Sequence, residues 1–259
     1  MKITCITPLP EHQRKLTGPP ISRERPSRES VRGTDVATKE HPIIFTPENV
    51  RKILNGHKTQ TRRVIILPKD SSLGVWEPTK LGGYLDKACT TLAPQSVAIF
   101  HTRSGRCIGC PFGQVGDRLW VRETWYCDHV DVQKGPFKEV DGAKELLYYR
   151  STDSTSDGKE TYTRFSGETM RNPWFPSIHM PRWASRLTLK ITEIRVERVR
   201  DISEKDAEAE GIIFIEPGRA IRRPMAEQFG ISWNRINAKR GYGWDKNPWV
   251  WVIKFEKAR

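Results

Sequence analysis

The strongest chemical signal in the sequence lies in six consecutive residues, Lys58 to Arg63. This segment holds three cations (Lys58, Arg62 and Arg63) and two hydroxyl groups (Thr59 and Thr61). An arginine offers a planar fork of donors to a phosphate or a carboxylate, whereas a lysine is a point charge whose pKa falls when it loses water. The segment therefore suits a binding or a catalytic site, and it suits a solvated basic strand edge equally well.

The common motifs of the large enzyme classes are absent from the sequence. There is no phosphate loop of the GxxxxGKS/T type, no HExxH zinc motif and no GxSxG nucleophile elbow. The six histidines are scattered along the chain, so their spacing predicts no triad.

The tryptophans are the second unusual feature, because most of the nine lie close to an arginine or lysine. Single-stranded nucleic acid is bound by this combination, since the rings stack on bases and the cations neutralise phosphates. Trp120 and Arg122 share one face of a predicted strand, and Trp174 and Trp244 lie in loops, so we expect these four to contact a ligand. The alternative is that tryptophans fill the core, which we expect for more than half of them.

The charge of the chain favours a polyanionic partner. The sequence has 44 Lys and Arg against 31 Asp and Glu, a net charge of +13. Cations that neutralise phosphates release counterions and so drive nucleic-acid binding. General solubility is the competing explanation.

Cysteine usage argues against a disulfide framework, because the count of five is odd. Cys107 and Cys110 have the spacing of half a zinc site, but a second pair at this spacing is missing. Cys89, His101 and Cys127 are the candidate further ligands. Structural zinc needs about four ligands, so we predict reduced thiols, no metal and no cofactor.

The elements that must position these residues are mostly strands. Patterns predict helices from Pro47 to a stop at Gly56, over Glu204–Glu210 and around Met225–Asn237. Strands are predicted at 118–126, at 186–199 with a change of phase near Glu193, and at 249–255. The fold class that follows is mainly β with short helices (α+β), as a small, partly closed barrel.

The chain divides into a basic arm and one domain. Residues 1–41 have few large apolar side chains and are predicted to be disordered. Residues 42–259 form the domain, with insertions at about 68–110, 128–172 and 213–247; one hairpin is expected in the first. No run of about 18 apolar residues occurs and the first residues lack an apolar signal segment, so we expect a cytoplasmic protein without membrane contact.

The segment Leu54 to Arg63 resembles the motif of ASCH domains, in which a helix ending in leucine leads into Gly-x-Lys-Thr-x-Thr-Arg-Arg. Three further segments are similar to blocks of that family and occur in its order: 116–121, 202–212 and 251–255. The resemblance covers most of residues 42–255 between the insertions. Segments 116–125 and 174–185 also resemble ASCH proteins of tailed phages and prophages, often labelled morphogenetic; for a phage protein the expected location is the host cytoplasm.

This resemblance implies a β-barrel like that of pseudouridine synthase and archaeosine transglycosylase (PUA-like), which binds RNA or a ligand with a nucleobase. Small bacterial members remove the acetyl group of N4-acetylcytidine. Carried over by motif, Lys58 is the activating base, Thr61 the nucleophile and Glu210 the acid or water-positioning group. Arg63 lines the ligand pocket, with Thr59 and Arg62 beside it.

The proposed chemistry is consistent with these residue types. A threonine hydroxyl needs an adjacent base, which a desolvated lysine supplies, and a carboxylate can protonate the leaving amine. Glu210 at the end of its helix is unfavourable against the helix dipole, a sign of function or of pairing with Arg63.

Three functions remain open. The chain binds RNA, a single-stranded nucleic acid or a modified nucleoside without chemistry; it is an amidohydrolase on N4-acetylcytidine or a single-strand ribonuclease; or it acts in phage assembly or host interaction.

Overall fold

A computed structural model describes residues 38–68, 73–81, 96–153, 161–163, 166–171, 174–212 and 224–258. The described residues belong to one compact unit, Ala37–Arg259. The predicted arm lies outside the described residues as far as residue 37. Its predicted end at residue 41 is slightly late, because the first strand already begins at Glu40.

The described residues form twelve strands and four α-helices. The strands are β1 (Glu40–Ile44), β2 (Gln60–Val64), β3 (Trp76–Leu81), β4 (Ser96–His101), β5 (Cys107–Gly109), β6 (Arg118–Arg122), β7 (Trp125–Cys127), β8 (Leu147–Tyr149), β9 (Thr161–Thr163), β10 (Thr169–Arg171), β11 (Thr188–Arg198) and β12 (Trp249–Lys257). The helices are α1 (Pro47–Leu54), α2 (Val130–Gln133), α3 (Glu204–Ala209) and α4 (Met225–Asn237).

The three predicted helices occur as α1, α3 and α4, with α3 ending one residue earlier than predicted, whereas α2 was not predicted. The Thr46 side chain accepts a hydrogen bond from the N–H of Asn49 at the start of α1, and Gly56 takes a left-handed φ of 78° after its end. At α3 the Ser203 hydroxyl accepts from the N–H of Asp206 at 3.1 Å. The predicted helix around Met225–Asn237 is confirmed as α4.

A five-stranded sheet in the order β1-β6-β11-β12-β2 forms the centre of the described structure. β1 and β6 are parallel, and the other neighbours are antiparallel. The register of β11 against β12 shifts between Ile191 and Glu193, which confirms the predicted irregularity in this strand. β1 and β2 lie at the two edges.

The sheet is buried on both faces, since β12 contributes side chains to two separate cores. Trp251, Ile253 and Phe255 pack with α1 on one face. Val250 and Val252 pack with α3 and α4 on the other face. Strict alternation of the two sets follows from the period of two in a strand, and it explains why the first five residues of this strand, 249–253, are all apolar.

The fold is mixed α/β with a preponderance of strands, and the predicted, partly closed barrel is not confirmed. The five-stranded sheet is open, and the other described strands form small separate sheets, β3-β4-β5, β7-β8 and β9-β10. In the first insertion, where the sequence predicts one hairpin, three strands occur. The second insertion contributes α2 and β8, which pack with β7, the strand just before it, in a core of their own around Trp125 and Val132.

None of the helices in the described ranges is long and apolar enough to cross a membrane.

Candidate functional site: a cleft at an edge strand

Lys58 is held beneath the end of α3 by a tight turn. The N–H groups of His57 and Lys58 donate to the carbonyl of Lys52 at 2.8 and 3.1 Å. The N–H of Thr59 then donates to the carbonyl of Ala209 at 2.9 Å, which joins the start of β2 to α3. The lysine side chain therefore enters the interior, where it is only 4% exposed.

The Lys58 ammonium group makes two contacts with one residue, Glu210. Its Nζ lies 2.7 Å from the carboxylate Oε2 and 2.8 Å from the main-chain oxygen. Glu210 directly follows α3, where carbonyl groups lack helical partners and the helix dipole is negative. A cation placed on both oxygens therefore removes the unfavourable interaction between the glutamate and the dipole.

Arg62 extends the ion pair into a buried network. Its Nη1 lies 3.3 Å from Glu210 Oε1, and its Nη2 lies 3.1 Å from Glu197 Oε2 and 3.2 Å from Asp206 Oδ2. The arginine side chain is completely buried. The Gln60 amide lies between Asp206 and Arg62, and oriented to suit both it donates to Oδ1 of the acid (3.1 Å) and accepts from Nη1 of the arginine (2.7 Å).

The network continues along β11 to the surface. Arg195 lies 2.6 Å from Glu197, 2.7 Å from Glu193 and 3.3 Å from Asp206. Lys254 then lies 2.9 Å from Glu193. Four cations (Lys58, Arg62, Arg195, Lys254) thus alternate with four carboxylates (Glu193, Glu197, Asp206, Glu210), and their charges balance.

The network shifts the proton affinities of its members. Burial lowers the pKa of Lys58, and the Glu210 carboxylate offsets only part of this effect. Burial raises the pKa of Asp206, but the charges of Arg62 and Arg195 together outweigh it and leave the pKa below its usual 3.8. Burial also lowers the pKa of Arg63 to about 10, with Glu210 opposing the shift.

A cavity of about 640 Å³ opens above this network. Lys58, Thr61, Arg62 and Glu210 line it, so three motif residues and the predicted acid meet in one place. Thr61 is 5% exposed, and its hydroxyl has no hydrogen-bond partner among the described residues. No hydrogen bond joins Thr61 to Lys58 either, because the ammonium group is directed at Glu210.

The edge of β2 also faces this cavity. Ile65 N–H donates to the carbonyl of Trp249, and Phe255 N–H donates to that of Thr59, both at 2.9 Å. In an antiparallel pair, successive residues of a strand direct their main-chain N–H and C=O groups alternately toward the partner strand and away from it. The main-chain groups of Arg62 and Val64 therefore point away from β12. They have no main-chain partner among the described residues.

Arg63 lies on the opposite face of β2 from Arg62. Its guanidinium stands 4.9 Å over the Phe45 ring and donates from Nη2 to the carbonyl of Ile44 at 2.5 Å. The Nε groups of Arg62 and Arg63 are buried and have no acceptor within the part of the chain that the structure describes. These two donors are enclosed by the protein and are not exposed on the cavity wall.

The other residues predicted to bind a ligand do not line this cavity. Thr59 lines a neighbouring depression of about 520 Å³. Arg122 stacks over Trp120 on β6 at 5.4 Å and donates to the carbonyl of Ile178. Trp174 and Trp244, expected to be accessible for stacking, are packing residues: Trp174 is 9% exposed beside Tyr126, and Trp244 packs on α4.

The two closely spaced cysteines are poorly placed to act together. Cys107 and Ile108 lie in β5, where the chain is extended. Both thiols are free, with Cys107 exposed and Cys110 half-buried. No group of three or more His, Cys, Asp or Glu side chains suited to a metal occurs in the described ranges; Cys89 lies outside them.

Sequence reasoning missed the carboxylates that complete the network, Glu197 and Asp206, and the cation between them, Arg195. A signal was present, because Glu193, Arg195 and Glu197 alternate along one face of a predicted strand. The sequence does not show which strand and which helix lie next to these charged residues, so their ion-pair partners could not be predicted.

No protein-family model, curated protein or solved structure matches this chain.

Proposed function

We propose that this chain binds a nucleobase-containing ligand, an RNA segment or a modified nucleoside, in the cleft at β2, and that its fold is an ASCH-type, PUA-like one. The observation that carries the proposal is a cavity lined by Lys58, Thr61 and Glu210 at the edge of β2, where the main-chain groups of Arg62 and Val64 point away from β12. A ligand with donors and acceptors along one edge can bond to these main-chain groups, and a nucleobase is such a ligand.

The size and walls of the cavity suit a planar ring. Its volume of about 640 Å³ falls within the range of small-molecule sites, about 300–1,000 Å³. Phe45 and Phe229 contribute apolar surface, and polar side chains make up much of the rest of the lining. A planar ligand needs apolar surface for its ring and polar groups for its edge.

The exposed main chain of β2 adds a means of recognition. Arg62 and Val64 present N–H and C=O groups in the plane of the sheet edge. A nucleobase presents donors and acceptors along one edge in the same way, so the strand can form hydrogen bonds with it as it would with another strand. We expect the base to lie along this edge, with the Thr61 hydroxyl bonded to one of its polar atoms.

Calorimetric titration with cytidine and N4-acetylcytidine tests this proposal. Thr61→Val removes the hydroxyl and keeps the shape, and we expect affinity to fall about three- to tenfold, the value of one neutral hydrogen bond. Thr59→Val is the matched control, because that hydroxyl lies outside the cavity. The proposal is wrong if the wild-type protein binds neither compound, or if both variants bind alike.

A second candidate, hydrolysis of N4-acetylcytidine, is favoured by the unpartnered Thr61 hydroxyl beside a lysine of lowered pKa. The Thr61 oxygen would attack the acetyl carbon while its proton moves to neutral Lys58. The C–N bond would then break, with a proton delivered to the cytosine amine, and water would release acetate from the threonine ester. We rank it second because Nζ contacts Glu210 rather than Thr61.

Acetate release measures this second candidate directly. Turnover by the wild-type protein that disappears in Thr61→Ala, while Thr59→Ala retains it, would establish the enzyme. Binding without turnover would leave the first proposal standing alone.

A further inference from the structure

The cavity extends beyond the Lys58 network to a second wall, which comes from the end of α4 and the turn after it. Arg235 and Arg240 lie on this second wall, and Arg63 lines the cavity from β2. Arg235 and Arg240 are exposed. Neither has an ion-pair or hydrogen-bond partner among the described residues. None of these three arginines belongs to the neutral network below.

Charge balance identifies these three arginines as the surplus at the cleft. The network from Lys254 to Lys58 contains equal numbers of cations and carboxylates. Lys52, which also lines the cavity, is paired with Glu48 at 2.9 Å. The remaining cations of the lining are Arg63, Arg235 and Arg240, and no carboxylate forms an ion pair with any of them among the described residues.

All three arginines line the same cavity, which has a volume of about 640 Å³. The positive charge of Arg240 contributes to the lowered pKa of Arg63, so the two guanidinium groups sense each other. Arg63 uses one N–H on the Ile44 carbonyl, and its buried Nε has no acceptor. Like charges held together in this way are stabilised when an anion is placed between them.

The Thr61 hydroxyl, which has no hydrogen-bond partner among the described residues, belongs to the same cavity lining. Thr61 precedes Arg63 by two residues, and both side chains are on the same face of β2. If the base of a ligand lies against the edge of β2 and contacts Thr61, the rest of that ligand lies in the part of the cavity that is lined by Arg63 and α4.

We propose that the ligand of this cleft carries a phosphate group bound by Arg63, Arg235 and Arg240, so that its substrate class is a phosphorylated nucleotide and not a free nucleoside. This rests on the proposed function. Three guanidinium groups match a phosphate dianion better than a single carboxylate, because each can donate to a different oxygen. The phosphate can belong to a nucleoside monophosphate or to the backbone of an RNA chain.

The test compares cytidine, cytidine 5′-monophosphate and a short oligocytidine by calorimetric titration of the full chain. We expect the wild-type protein to bind the monophosphate about ten- to a hundredfold more tightly than cytidine, the value of one or two charge-assisted hydrogen bonds. In the double variant Arg235→Ala, Arg240→Ala this preference should disappear while cytidine affinity is unchanged. The control is Lys239→Ala, Lys246→Ala, which removes two exposed charges of the same region that do not line the cavity.

The two phosphate sources and the two proposals are separated by the remaining outcomes. A preference for oligocytidine over the monophosphate assigns the subsite to the RNA backbone, and the reverse assigns it to a free nucleotide. Equal binding of cytidine and its monophosphate overturns the phosphate subsite but leaves the base-binding function intact. If none of the three cytosine compounds binds, the phosphate subsite is tested by titration with pyrophosphate. Pyrophosphate binding by the wild-type protein that the double variant loses supports the subsite, and absence of pyrophosphate binding overturns it.

Discussion

The unusual residue of the site is Glu210, a carboxylate at the negative end of a helix. Its environment becomes favourable only through Lys58 and Arg62, both nearly inaccessible to water. Desolvating an ion pair costs several kcal/mol for each charge, and the attraction within the pair offsets this cost only with good geometry. Placing one glutamate between two cations and a helix end supplies that geometry.

Glu210→Gln is therefore expected to destabilise the protein by about 3–5 kcal/mol, because it leaves a buried lysine without its counter-charge. Urea unfolding followed by tryptophan fluorescence measures the change. The matched variant is Glu208→Gln, on the exposed side of the same helix turn, where we expect a change within about 0.5 kcal/mol. Equal effects of the two variants would contradict the account of the network.

Asp206 gives the network a dependence on pH. Its folded pKa lies below 3.8, so the unfolded chain binds a proton more readily and stability rises with pH across that interval. The contribution is complete above about pH 4 and is lost as the pH falls through the folded pKa. The stability difference between wild type and Asp206→Asn should therefore shrink below pH 4, as measured by urea midpoints at several pH values. Asp201→Asn, at an exposed position, is the matched control variant.

The helix starts and stops were predictable at the scale of elements because they depend on neighbouring residues. Thr46, Ser203 and Gly56 act within four residues of the helix they limit. Strand alternation in β6 and β11 is equally local. Closure of the sheet and the order of its strands depend on pairing between distant segments, and neither follows from a local pattern. The barrel expected from the family resemblance is accordingly the part left unconfirmed.

Gly211, the residue after Glu210, is expected to be essential for the turn that ends α3. Its φ is +83°, and a Cβ there would lie 3.0 Å from Lys52 Cδ and 3.2 Å from Lys58 Cβ. Gly241 has a φ of +85° but open space around it. Gly241→Ala should cost about 1 kcal/mol from backbone strain alone, and Gly211→Ala should cost more and also weaken ligand binding. Chemical denaturation of both variants isolates the steric part; equal costs would show that the Lys52 and Lys58 side chains give way.

At the scale of the whole molecule, the charge surplus lies outside the buried network. The chain carries +13, yet the eight charges around Lys58 cancel. The composition alone therefore predicted an anionic partner but could not say which arginines would face it. Arg235 and Arg240, within the third insertion, carried no motif by which the sequence could assign them to the cleft.

RNA binding should therefore depend strongly on salt, whereas binding of uncharged cytidine should not. We expect log Kd for a single strand to rise linearly with log salt concentration, with a slope of about 0.7 for each phosphate neutralised. Fluorescence anisotropy with a labelled oligocytidine measures the slope. The surplus charge has another purpose if RNA affinity is insensitive to salt.

The position of β12 between β11 and β2 has a consequence for biosynthesis. β2 joins the sheet only through β12, which the ribosome completes roughly 190 residues later, about 10–40 s at 5–20 residues per second. During that interval Lys58 and Arg62 have left the ribosome before Glu210 exists, and the apolar side chains on both faces of the sheet lack their central strand. The nascent chain must therefore remain in a partly assembled state that chaperones can bind, and the cleft is completed only with the last strand of the sheet.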